Sequence, residues 1–203
     1  MTARLGVSLR WPGAMVSVYC RALDRQCDDA ANCGDLEVIR EHATVAIMLA
    51  VTMVETFLNA YCQQVGMRLQ EPMQLAALSG RDPGLEPKLA RWPTLFLGQP
   101  LDETGVAWRG FDALRQRRNA LMHFRAGSVS VRLGPQAVPM VDMSSFDKLT
   151  AADAELARRQ ALRLMEALLL IGARGDRASA RAQLAHLCAG VVVDDSATEE
   201  TTT

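Results

Sequence analysis

The sequence predicts an all-α fold built as an antiparallel helical bundle, and three observations carry that reading. Aromatic residues make up only 5% of the chain, whereas Ala, Leu, Met and Arg abound, a mixture that favours helices over sheets. Ile47, Val51, Val54, Leu58 and Tyr61 recur at three- and four-residue spacing, and Ala46, Ala50, Met53 and Phe57 form a second row on the same stretch. Leu156, Leu162, Leu164, Met165, Leu168, Leu169 and Ile171 give residues 151–174 another broad apolar face. With 203 residues the chain can bury one sizeable core, so residues 1–190 are assigned to a single helical domain and 191–203 to an acidic tail.

Taken in order, residues 1–12 read as a loose entry segment. Residues 13–29 then form a first helix with Met15, Val16, Tyr19 and Leu23 on one side. The segment 28–34 breaks it, and Asp35 caps a long helix running to about Val65, where Gly66 ends it. Two apolar rows bury this helix deeply. A narrow polar line of Thr52, Glu55, Asn59 and Gln63 interrupts them, and these groups need partners. Residues 74–78 make a short helical turn before the punctuated stretch 79–87.

From Leu85 the chain reads L-E-P-K-L-A-R-W-P-T-L-F-L-G-Q-P-L-D. Prolines at 87, 93 and 100 exclude a long uninterrupted helix, although Pro87 fits the first turn of a short one. Leu89, Trp92, Leu95, Phe96 and Leu97 make this an apolar connector that covers the core. A basic helix follows over about 105–124, stopped by Gly127. The weak alternation of V-S-V-R-L and A-V-P-M-V around Gly134-Pro135 predicts a short β-hairpin insert within 128–143. Thr150 and Asp153 form an acidic capping box for the helix over 151–174, which Arg174-Gly175 punctuates. Residues 178–189 form a terminal helix with Leu184, Leu187 and Cys188 inward. The tail D-D-S-A-T-E-E-T-T-T has nothing to bury and is expected to be disordered.

Composition narrows the function classes. A formal net charge of −1 leaves no global nucleic-acid footprint, so affinity for phosphate must come from local clustering. Arg4, Arg10 and Pro12 interrupt the apolar core that a signal peptide needs, and no apolar run approaches bilayer-spanning length. The expectation is therefore a cytoplasmic protein with no membrane partner. Five cysteines, Cys20, Cys27, Cys33, Cys62 and Cys188, form an odd set without a C-x-x-C pair, which suggests buried free thiols rather than a disulfide framework or zinc knuckle. Cys20, Cys27 and His42 match no metal-ligand spacing, so neither a metal nor another cofactor is expected. Phosphate-cradling glycine loops, G-x-G-x-x-G and a nucleophile elbow are all absent from the sequence.

Chemistry concentrates in residues 111–124, F-D-A-L-R-Q-R-R-N-A-L-M-H-F. Phe111, Leu114 and Leu121 recur at helical spacing, and Arg118 falls on their stripe. A guanidinium there needs an acid, a solvated cleft or an anionic ligand, because burying it alone costs several kcal/mol or more. His123 lies five residues on, and Asn119 one turn before it. Five residues span about 140° of helix rotation, so Arg118 and His123 serve one phosphate only across a cleft or a distorted helix end. A purely structural reading of the same residues has Arg118 as an ion-pair partner and His123 complementing the helix dipole.

The run R-N-A-L-M-H, Arg118 to His123, resembles the arginine, polar residue and histidine that mark HEPN domains (higher eukaryotes and prokaryotes nucleotide-binding). The proline-bearing connector followed by this helix, and the earlier V-E-T-F-L-N-A-Y of residues 54–61, are similar to bacterial members. The resemblance covers roughly residues 35–125. It implies an antiparallel bundle, commonly a homodimer, and often a metal-independent endoribonuclease leaving 2′,3′-cyclic phosphate ends. Other members are non-catalytic modules that bind a nucleotide or a protein. His123 would then transfer protons and Arg118 would stabilise charge on phosphorus. Asn119 would orient the imidazole or bond a phosphate oxygen. A dimer would supply a second His123 and a second Arg118 to one cleft.

Glu55 is the candidate acid for holding Arg118, with Asn59 beside it; alternatively the two are a polar pair serving only the bundle. Arg109, Arg115, Arg117 and Arg125 would track an RNA backbone or form a solvated basic face, and Trp92 or Trp108 would stack a base or pack in the core. Membership of a toxin–antitoxin or phage-defence system would imply an antitoxin or nucleotidyltransferase-like partner.

Overall fold

The computed structural model describes residues 13–81, 83–122, 126–133, 136–141 and 143–189. It is mostly helical. The chain runs through α1 (Gly13–Asn32), α2 (Leu36–Leu69), α3 (Pro72–Ser79) and α4 (Leu85–Trp92), with a π-helical turn, Pro93–Leu97, continuing directly from α4. After α5 (Val106–Met122), strands β1 (Ala126–Leu133) and β2 (Gln136–Val141) pair antiparallel, with Val131 opposite Val138. The chain then forms α6 (Ser144–Asp147), α7 (Ala151–Gly172) and α8 (Arg177–Ala189).

α2 is the central helix, packed by α1, α7 and α5. Both of its apolar rows are buried apart from Tyr61, which is half-buried and stacks on Phe57 with ring centroids 5.3 Å apart. Asp35 caps it by accepting a hydrogen bond from the Glu37 N–H at 2.8 Å. Among the described residues α2 is long and apolar enough to cross a membrane on length and composition alone, which corrects the expectation that no apolar run reaches that length. Half of its most apolar window is buried inside the protein, as expected of a core helix that is apolar on more than one side.

Gly66 corrects a second expectation. It does not stop α2 but lies inside it, where an added Cβ would meet Leu78 Cδ1 at 2.8 Å and Phe96 Cε1 at 3.0 Å. The residue is there for close packing of α3 and the π-turn. The helix ends at Leu69, with Gln70 in the left-handed region donating its N–H to Gly66 O. Within the connector α4 is short, and Pro93 does not end the helical path. Proline has no N–H to donate, and the chain widens into a π-turn at that residue, which keeps Phe96 buried and edge-on to Trp92 at 5.5 Å.

Polar ties lock the bundle at its edges. Arg158 of α7 reaches Glu155 at 2.9 Å and Asp24 of α1 at 3.3 Å, Arg181 of α8 reaches Glu166 of α7 at 2.9 Å, and His42 Nδ1 lies 2.9 Å from Gln26 Oε1. At the start of α7, the Asp153 carboxylate accepts from the Thr150 N–H at 2.8 Å and the Thr150 hydroxyl at 2.9 Å. In return the Thr150 side chain accepts from the Asp153 backbone N–H, which closes the capping box. The tail assigned to 191–203 lies outside the described residues.

Candidate functional site

α5 presents three faces with different chemistry. Its inner face buries Phe111, Leu114 and Leu121 against α2 and α7. Arg118 occupies the same stripe and is half-buried, and its side chain makes no hydrogen bond or ion pair among the described residues. Asn119 is also half-buried. His123 and Arg125 lie outside the described residues, so the structure positions the arginine end of the motif.

The two flanks of α5 are neutralised. Arg115 donates to Glu86 of α4 at 2.7 Å and to Asp112 at 2.8 Å; Asp112 also accepts from Gln116 at 2.7 Å. The hydrogen bonds it donates to Asp112 hold the Arg115 guanidinium above its ordinary pKa. Arg117 donates to Asp153 of α7 at 2.7 Å. Burial pushes the Asp153 carboxyl up, but hydrogen bonds from Arg117 and Thr150 outweigh it and leave the group below the usual carboxylate range. Of the arginines expected to track RNA, Arg115 and Arg117 are engaged with acids of the fold that lie within reach on neighbouring elements. Arg109 is exposed and borders a hollow of about 290 Å³ between α5 and α7, with Gln160 and Arg163.

Glu55 does not hold Arg118. Its carboxylate lies 3.7 Å from Lys88 Nζ, and Asn59 Oδ1 accepts from the same ammonium at 2.8 Å. Lys88 is only 2% exposed, and its Nζ also sits 5.2 Å from the Trp92 ring centroid. The polar line of α2 therefore anchors α4, and the Arg115–Glu86 bridge ties α4 in turn to α5. Trp92 is buried, and Trp108 packs half-buried against the core.

Sequence reasoning missed Lys88, whose signal is its position four residues before Trp92 on the buried side of a short helix. It also missed a cleft of about 700 Å³ between α2, α7 and α8, bordered by Phe57, Tyr61, Gln64, Arg68, Gln183 and His186. The cleft depends on chain ends distant in sequence and has no local signature. Gly172 borders it, and a Cβ there would collide with the Tyr61 hydroxyl. Cys20, Cys27 and Cys62 are buried, and Cys33 and Cys188 half-buried. Cys20 faces Met53 and Cys188 rather than Cys27 and His42. No protein-family model matches this chain, and neither the curated proteins nor the solved structures include a significant match.

Proposed function

We propose that the chain is an HEPN-like bundle acting on RNA as a metal-independent endoribonuclease, cytoplasmic and homodimeric through α5. The observation that carries this reading is Arg118. Glu86, Asp112 and Asp153 neutralise Arg115 and Arg117, while Arg118, on the buried stripe, has no acid set against it among the described residues. An RNA phosphate would supply that counter-charge in a bidentate geometry suited to a guanidinium.

The chemistry follows from the motif. A base removes the 2′-hydroxyl proton, the 2′-oxygen attacks phosphorus, and an acid protonates the departing 5′-oxygen, leaving a 2′,3′-cyclic phosphate. His123 takes a proton-transfer role, with its symmetry mate providing the other. Arg118 stabilises the charge developing on phosphorus, and Asn119, one turn before His123, orients the ring or the phosphate. In a toxin–antitoxin or phage-defence setting, an antitoxin or nucleotidyltransferase-like partner would restrain the activity.

One observation favours a second reading, a non-catalytic HEPN module that binds a nucleotide or protein partner. The ion pairs of Arg115 and Arg117 remove much of the basic track that an RNA strand would follow. Incubating the purified full chain with mixed RNA in excess EDTA separates the two. Cleavage with cyclic phosphate ends supports the nuclease; intact RNA, with a melting temperature raised by a nucleotide, supports the module.

A further inference from the structure

Two sulfur atoms from opposite ends of the sequence meet in the core. Cys20 on α1 and Cys188 on α8 are 168 positions apart, and their Sγ atoms lie 3.1 Å from one another, with the Cys20 thiol donating to Cys188. Cys20 is buried and also contacts Met53 Sδ at 3.4 Å, whereas Cys188 is half-buried and reachable from solvent. The other three cysteines have no thiol partner among the described residues. α1 and α8 pack directly on each other, so both backbones are already held at a spacing that brings the sulfurs together.

We propose that Cys20 and Cys188 form a redox pair that peroxide converts to a disulfide stapling α8 onto α1. The asymmetry of the two thiols assigns their roles. The hydrogen bond from Cys20 lowers the Cys188 pKa against the opposing effects of burial and the Asp24 charge, and Arg158 adds to the lowering; Cys20 is raised by the same bond and by its burial. Cys188 is the attacking thiolate and Cys20 the resolving thiol. The Cys188 thiolate displaces hydroxide from hydrogen peroxide and becomes a sulfenic acid. The Cys20 sulfur then attacks the Cys188 sulfur and loses its proton as water departs. Two electrons pass to the peroxide, one S–S bond forms, and an external dithiol reverses the step. The staple would hold α8 against the cleft it borders with Leu187 and His186, without touching α5.

The test uses the full chain, reduced and then exposed to limiting hydrogen peroxide, with thiols counted by maleimide mass-tagging after denaturation. Two of the five thiols should be lost, one cross-linked peptide should join Cys20 to Cys188, and the melting temperature should rise by roughly 5–15 °C until dithiothreitol restores it. Cys188→Ser, a change at the half-buried position, should fold and keep its remaining thiols. Cys33→Ser should leave the cross-link unchanged. Retention of all five thiols, over-oxidation of Cys188 without a cross-link, or a bridge between two chains through Cys33 would each overturn the proposal.

Discussion

Lys88 Nζ lies 2.8 Å from Asn59 Oδ1, a contact between a connector helix and the centre of the bundle that sets the position of α4. The ammonium is almost fully buried, with Glu55 at 3.7 Å and the Trp92 ring at 5.2 Å. A charge in that position needs every acceptor it has. Asn59→Ala should therefore destabilise the protein by about 1–3 kcal/mol in urea unfolding, while Asn59→Asp should be better tolerated because it retains an oxygen acceptor. Equal stability of Asn59→Ala and the parent would show that Lys88 finds other partners at no cost.

The Asp153 carboxylate links acid stability to the start of α7. Its folded pKa is depressed relative to the ordinary value of 3.8, so its contribution is present above that value and disappears as pH falls through the lower folded value. The urea midpoint of the parent should exceed that of Asp153→Asn by a constant margin above about pH 5, and the margin should shrink below about pH 4. A margin that grows on acidification would contradict the assignment.

Gly66 tests the packing of α3 and the π-turn on α2. Gly66→Ala gains about 1 kcal/mol of helix propensity but forces Leu78 and Phe96 outward, a repacking that typically costs 1–3 kcal/mol, so the variant should be neutral to about 2 kcal/mol less stable. Adding Leu78→Ala should make the Gly66→Ala effect more favourable than it is alone, which a double-mutant cycle measures. A strictly additive cycle would place the clash elsewhere.

These residues also show which features a sequence makes legible. The Asp35 cap and the Thr150–Asp153 box are local, so residue types and spacing suffice to find them. The apolar rows of α2 and α7 are periodic, and burial follows the period. The same logic says that Glu55 and Asn59 need partners without naming one, because Lys88 arrives from a separate helix. Gly66 and Pro93 carry the residue types of helix ends, yet tertiary packing and a π-turn carry the helical path through each. At the candidate site, the placement of Arg118 on a buried stripe is legible; the neutralisation of Arg115 and Arg117 depends on Glu86 and Asp153 from other helices and is not.

Arg117 and Arg118 are adjacent, but their side chains do different things. Arg117→Ala should lower stability by about 0.5–1 kcal/mol through its pair with Asp153, an ion pair that is only partly shielded. Arg118→Ala, with no such pair among the described residues, should change the melting temperature by no more than about 2 °C. A larger loss of stability in Arg118→Ala would assign Arg118 to the scaffold.

The central claim is tested most directly by the initial rate of RNA cleavage in excess EDTA, measured for the parent chain, Arg118→Ala and His123→Ala under one set of conditions. The ribonuclease reading predicts parent cleavage that ends in 2′,3′-cyclic phosphate and falls by at least ~100-fold in each variant while the fold is kept. Intact RNA with the parent chain, or a folded Arg118→Ala variant that cuts at the parental rate, would contradict it.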